Sequence, residues 1–173
     1  MKRYVITGGP CSGKSTVLEL LAKNGHRVID ETARPLIERE KAKGSDVLPW
    51  INPHKFQRVV ARIQFRKEFF AFIQFPEVIF LDRSLVDGCG YCVVEEVSVP
   101  WIIKRFGRKR YTKVFHLEML PSYIYDASRK EDRTLAIRIH EEIRNAYTVF
   151  GYEVISVPMM TPEERVEFIL NSL

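Results

Sequence analysis

At 173 residues, the chain has the size of one domain built on one core. It is 46% hydrophobic and 28% charged, ordinary for a soluble globular protein, and no apolar run is long enough to span a bilayer. The net charge of +5 invites a nucleic-acid partner, but the densest basic stretch, Lys104 to Arg110, reads as easily as a solvated helix end, so nucleic acid stays a minority reading.

Taken in chain order, apolar runs alternate with helical periodicities, which predicts an α/β domain with a parallel sheet. Tyr4-Val5-Ile6 is a buried strand ending at Thr7. A helix is expected from Gly13-Lys14 to about Asn24, with Val17, Leu18, Leu20 and Leu21 inward and Gly25 accepting the left-handed turn that stops it. Arg27 to Ile29 is a short second strand, followed by Asp30-Glu31 and a helix capped by Thr32 that reaches about Lys43. Pro53 opens a long helix that ends before Pro76, with Phe56, Val59, Val60, Ile63, Phe69 and Phe70 assigned to its apolar side.

Val78 to Leu81 is the strongest strand signal and ends at Asp82. Helical stretches follow over 84–96 and 100–106, and a fourth strand, Val114 to Leu117, ends at Glu118. Residues 119–132 have little periodicity and read as a mobile lid. A helix from Arg133 to Val149 buries Ala136, Ile139, Ile143, Ala146 and Tyr147. Val154 to Val157 is a fifth strand, and Thr161-Pro162-Glu163-Glu164 opens a last helix with its cap, proline and acidic first turn. No linker or repeat marks a second domain, so residues 1–173 are expected to form one.

The N-terminus runs from Met1 straight into a glycine loop without the apolar region and cleavage site of a secretory leader, and the expected location is cytoplasmic. Three cysteines cannot all pair. Cys89 and Cys92 have C-x-x-C spacing but no second ligand pair for zinc, and they read as buried thiols on one helix face. Cys11 is the thiol expected to respond to nucleotide.

Gly8-Gly9-Pro10-Cys11-Ser12-Gly13-Lys14-Ser15 fits G-x-x-x-x-G-K-[ST] at every fixed position. It directly follows a buried strand and, with Thr16, opens a periodic helix, the context that separates a phosphate loop from a chance glycine turn. Backbone N–H groups of such a loop turn inward on phosphate oxygens, and the helix N-terminus adds its dipole. Lys14 supplies charge for the β- and γ-phosphates, and the Ser15 hydroxyl suits Mg²⁺.

Three strands end in carboxylates, and in an open parallel sheet ligands bind beyond those ends. Asp82 fits the Walker-B role of holding Mg²⁺. Either Asp30 or Glu31 could take a proton from a phosphoryl acceptor, with Glu31 favoured. Glu118 reads at least as well as a structural strand-end residue. Arg83 can reach an acceptor or transferred phosphoryl group. Arg129 and Arg133 lie where a closing lid would place them on that group, whereas Lys130 reads as solvated charge.

The segments ITGGPCSGKST, VIDETAR, VIFLDRS, KVFHLE, SRKEDR and GYEVISVP resemble the small P-loop ATPase domains of the AAA_28 type. Those are related to the ribosylnicotinamide kinase domain of bacterial NAD-biosynthesis regulators and, more distantly, to nucleoside and nucleotide kinases. The resemblance implies a five-stranded parallel sheet in the order 2-3-1-4-5, helices on both faces, and a lid after strand four. It implies Lys14, Ser15 and Asp82 in an ATP–Mg²⁺ site, Glu31 beside an acceptor pocket lined by Arg34 and Gln64, Arg129 and Arg133 in the lid, and residues 158–160 against adenine. The ribosylnicotinamide kinases lack the arginine at position 83, so the resemblance does not carry their substrate.

The expected activity is an ATP- and Mg²⁺-dependent kinase of a small nucleoside- or nucleotide-like acceptor. The alternative is an ATP-binding or hydrolysing regulatory module without an acceptor. There is no N-K-x-D tetrad for guanine, and no D-x-x-G is read after the P-loop, where a switch II segment would start, which argues against a GTPase. No second helical domain suggests a hexameric motor.

Overall fold

The computed structural model describes residues 2–74, 77–120 and 132–173. Among them the chain runs β1 (Lys2–Thr7), α1 (Lys14–Lys23), β2 (Arg27–Ile29), α2 (Ala33–Ala42), α3 (Pro53–Gln74), β3 (Val78–Asp82), α4 (Asp87–Val94), α5 (Trp101–Phe106), β4 (Lys113–Leu117), α6 (Arg133–Val149), β5 (Val154–Val157) and α7 (Pro162–Asn171). The five strands form one parallel sheet in the order β2-β3-β1-β4-β5. Ile6 pairs with Asp82, and Thr7 with His116, so the ends of the central strands arrive together.

A parallel strand covered on both faces must be apolar on both. Val5, Ile79, Leu81 and Val114 enter one buried cluster with Ile139, Ile143 and Tyr147 of α6. Their neighbours Tyr4, Ile6, Phe80, Phe115 and Leu117 face the other way, against Val17, Leu18 and Leu21 of α1 and Val166 and Ile169 of α7. Two layers of helix therefore sandwich the sheet. Gly90 lets α4 press on the backbone of α6, since a Cβ there would lie 2.7 Å from the Ile143 nitrogen. At α7 the Thr161 hydroxyl and the Glu164 carboxylate cap each other's backbone N–H, the reciprocal arrangement expected from T-P-E-E.

Helix α3 departs from the sequence expectation. Phe69 and Phe70 are 49% and 59% exposed, whereas Gln57, Gln64 and Glu68 are buried together with Ala61, Ala71 and Phe72. The inward stripe is partly polar because those side chains find partners. Glu68 accepts from Gln64, Tyr111, the Leu85 amide and Arg110. Thr32 also departs: it precedes α2 but does not cap it, because its backbone is already helical (φ −100°, ψ −34°) and its hydroxyl points to Gln64, to which it donates.

The basic stretch does not form one free patch. Arg110 is paired with buried Glu68, and Arg105 and Arg108 lie over Phe106 and Phe150. Cys92 is fully buried and Cys89 partly so, and both are free thiols. Among the described residues, no helix is long and apolar enough to cross a membrane. The expected lid falls mostly on residues 121–131, outside the described residues.

Candidate active site

The glycine loop turns from β1 into α1 through three left-handed or glycine-only conformations: Gly8 at φ 135°, Cys11 at φ 58° and Gly13 at φ 79°. Gly8 also needs the space, because a Cβ there would lie 2.7 Å from the Leu117 carbonyl. Gly13, just before α1, offers no side chain to cap the helix, so the first N–H groups of α1 face the loop. Lys14 is buried, and its ammonium donates to the carbonyls of Gly8 (3.0 Å) and Gly9 (2.8 Å) and to the Ser12 hydroxyl. Burial first, and then Arg83, pull the Lys14 pKa down to about 7, against the opposing pull of Asp82 and Glu31.

Arg165 of α7 braces the loop from behind. Its guanidinium donates to the carbonyls of Ser12 (2.6 Å), Glu118 (3.0 Å) and Pro158 (3.0 Å), joining the loop to the ends of β4 and β5. Sequence reasoning missed this residue. An arginine on a terminal amphipathic helix carries no motif, and only the fold brings it 153 positions back to Ser12.

Beside the loop lies a cavity of about 670 Å³ walled by the loop, by α2, α3 and α4, and by the ends of β2 and β3. Lys14, Ser15, Glu31, Arg34, Gln64, Asp82 and Arg83 all reach its wall. The structure does not bring Asp30 there: its side chain is exposed, and Lys67 holds its carbonyl. Arg133 is exposed on the first turn of α6, away from the cavity wall, and Arg129 lies outside the described residues. Residues 158 and 159 are exposed, beyond β5.

Asp82 has one carboxylate oxygen buried without a hydrogen-bond partner. Burial, then the neighbouring charge of Glu31, raise its pKa to about 6, while Lys14 and Arg83 oppose the shift. An orphaned carboxylate oxygen in a cavity wall that also carries Ser15 is a donor set that fits a hard divalent cation such as Mg²⁺.

Arg83 occupies the left-handed region at φ 62°, costly for a residue with a Cβ, and the site holds it there at several points. Its amide donates to the Ile6 carbonyl, its Nε to Glu31 (3.2 Å) and its Nη1 to Asp87 (3.3 Å). Burial alone would lower its pKa, but Tyr91, Glu31, Asp87 and Asp82 outweigh that and keep it cationic. Asp87, at 2% exposure, also accepts from the Ser84 amide (2.8 Å), the Thr7 hydroxyl and the Tyr147 hydroxyl. It too was missed. Asp87-Gly88-Cys89-Gly90 has the letters D-x-x-G, but they lie within α4, where the aspartate anchors Arg83.

On the far side of the loop, His116 and His140 stand with ring centroids 4.1 Å apart and Glu118 beside them. His140 Nδ1 accepts the Gly9 amide at 3.1 Å.

The strand order and the glycine loop between β1 and α1 define a P-loop nucleotide-binding domain with the fold of a nucleoside kinase. The sequence profile of the AAA_28 family of AAA domains matches residues 3–165, and the chain belongs to that family. Similar solved structures include deoxyadenosine kinase from M. mycoides with bound dATP, at 15% identity over 98% of both chains and a TM-score of 0.67. The same enzyme with dCTP gives 15% identity over 98% of this chain and 97% of that one, with a TM-score of 0.58. With its products dCMP and dCDP it gives a TM-score of 0.55 at the same identity and coverage. No curated protein matches the chain in sequence.

Proposed function

We propose that this protein is an ATP- and Mg²⁺-dependent kinase of a small nucleoside- or nucleotide-like acceptor. The observation that carries the reading is the Glu31–Arg83 pair, set in the wall of the cavity that opens from the phosphate loop. Glu31 keeps 28% of its side chain exposed, enough to meet a hydroxyl group entering the cavity. Lys14 turns its ammonium from the loop carbonyls to the β- and γ-phosphates of ATP, which attract it more strongly than neutral carbonyls do. Asp82 and Ser15 hold Mg²⁺, which neutralises phosphate charge when bound.

The acceptor hydroxyl gives its proton to Glu31 as its oxygen bonds to the γ-phosphorus. The bond from that phosphorus to the β–γ bridging oxygen breaks, and ADP leaves with the electron pair. Arg83, kept cationic, holds the Glu31 carboxylate at the cavity wall and offers charge to the transferring group. Trp50 and Tyr91 supply flat apolar surface in the same wall, and Gln57 and Gln64 supply amides. That combination suits a heterocyclic base, in keeping with the deoxynucleotides bound by the structurally similar kinase.

The test is ADP release by purified protein with MgATP against a panel of nucleosides and nucleotides. Stimulation by an acceptor, with a phosphorylated product recovered, supports the kinase. ATP hydrolysis that no acceptor changes supports the regulatory module instead.

A further inference from the structure

We propose that His140 is a positioning residue that fixes the phosphate loop by accepting the Gly9 amide, and so ties nucleotide affinity to the seating of α6. The inference rests on the nucleotide-binding part of the reading above and not on phosphoryl transfer. Gly9 is held at both ends of its residue. Its N–H donates to His140 Nδ1 at 3.1 Å, while its carbonyl accepts from Lys14 (2.8 Å) and Ser12 (3.0 Å). The loop residue that anchors the nucleotide lysine is thus fastened to a helix outside the motif.

The contact is also tight. A Cβ on Gly9 would lie 2.7 Å from the Cβ of His140 and 3.0 Å from the Ala136 carbonyl, so α6 presses directly on the loop. Helix α6 begins at Arg133, just beyond the segment expected to form a lid. A shift of α6 would therefore reach the loop through this hydrogen bond and these close approaches.

The bond also dictates a tautomer. Accepting at Nδ1 leaves the His140 proton on Nε2, which faces the Glu118 carboxylate at 3.7 Å. Beneath it, His116 Nε2 lies 3.1 Å from the His140 carbonyl, and His116 is fully buried. The groups facing His140 are His116 and Glu118 at the end of β4, Lys14 of α1, and Arg144 one turn further along α6. Burial is the largest influence and keeps the ring neutral, with its pKa below the ordinary histidine value, although Glu118 pulls the other way. Protonation would turn Nδ1 from acceptor into donor and set two N–H groups against each other. His116, Glu118 and His140 also have the types and spacing of a metal site. A metal on His140 Nε2 would force the proton onto Nδ1, so ligation and the Gly9 bond are mutually exclusive.

The test uses the full chain and two readouts. MgATP affinity is measured by calorimetry from pH 8 down to the acid limit of the fold for wild type, His140→Ala and His140→Asn. The Asn side-chain oxygen takes the place of Nδ1 and does not titrate. At pH 7.5, His140→Ala should weaken binding roughly 3- to 10-fold, the usual effect of losing one hydrogen bond, and His140→Asn should recover most of it. Below the pH at which the His140 ring is seen by NMR to protonate, wild type should lose affinity relative to His140→Asn, a comparison in which the titration of ATP itself cancels. The ¹⁵N–¹H resonance of the Gly9 amide, followed without nucleotide, should move with that same titration in wild type and stay still in His140→Asn.

Equal affinity in all three proteins would overturn the proposal. So would parallel pH profiles of wild type and His140→Asn across a pH at which NMR shows the His140 ring protonating, or stoichiometric Co²⁺ binding that His140→Asn abolishes. A wild type that binds no nucleotide would sink the reading of the loop, while the Gly9 resonance would still decide for or against His140. If His140→Ala does not fold, the wild-type and His140→Asn comparison and the Gly9 resonance still decide.

Discussion

Replacing Asp82 with Asn should stabilise the fold and destroy its response to magnesium. The carboxylate is buried, one oxygen has no partner, and its pKa is pushed up to about 6. An unfolded chain releases that proton near pH 4, so at neutral pH the folded protein carries an ionised group it would rather keep protonated. Raising a carboxyl pKa by that much corresponds to a cost on the order of 3 kcal/mol once both states are ionised. The folded state binds more protons between about pH 4 and 6. Wild-type stability therefore falls as pH rises through that window, and the loss persists above it. Asparagine, nearly isosteric with the protonated acid, lacks the penalty. In Mg²⁺-free buffer at pH 7.5, Asp82→Asn should melt above wild type by about 6–12 °C, the shift that a difference of this size gives in a domain of this length, and the gap should shrink toward pH 4.5. Adding Mg²⁺ with nucleotide should raise the wild-type melting temperature by mass action and move the variant much less. A variant that melts below wild type at pH 7.5 without Mg²⁺, or a gap that ignores pH, would refute the reasoning.

Lys14, with its pKa lowered to about 7, should take up part of a proton when phosphate arrives at pH 7.5; calorimetry in buffers of different ionisation enthalpy reads that uptake, and Lys14→Ala should abolish it together with most nucleotide affinity. Asp87→Asn replaces one accepting oxygen with an amide among Thr7, Arg83, Ser84 and Tyr147. Breaking a buried pair of this kind costs about 3–5 kcal/mol, so denaturant titration should show a loss of that order, and a change under about 1 kcal/mol would show that Asp87 is dispensable. Glu31→Gln should leave MgATP affinity close to wild type but cut acceptor-dependent turnover about 10²-fold or more, as followed by ADP release with any acceptor that stimulates the wild type.

What the sequence revealed of this molecule, and what it hid, follows from the range over which each signal acts. Strand and helix positions were legible because each strand is a short apolar run, and because the glycine loop can form only where a strand turns into a helix, whereas the order of the strands in the sheet came from the family resemblance alone. The loop itself was legible for the same reason: Gly8, Gly13 and Lys14 are close in sequence and answer to one local demand. The stripe on α3 was misread because an apolar residue is a weak guide to burial when polar neighbours can find partners. Phe69 and Phe70 face outward, while Gln64 and Glu68 are inside because Thr32, Tyr111 and Arg110 come from other elements to meet them. Arg165, Asp87 and His140 were invisible for a related reason. Arg165 and His140 act on the site through partners 153 and 131 positions away, Asp87 anchors the nearby Arg83 but is itself held by Thr7 from 80 positions away, and none carries a local pattern that marks it. Asp30 and Glu31 differ by one step along the chain at the end of β2. Only the fold separates them, leaving one exposed and pairing the other with Arg83. The chemistry assigned to the loop thus depends on contacts that reach it from α4, α6 and α7, and substitutions at those distant contacts should alter nucleotide binding or turnover while every letter of the motif remains unchanged.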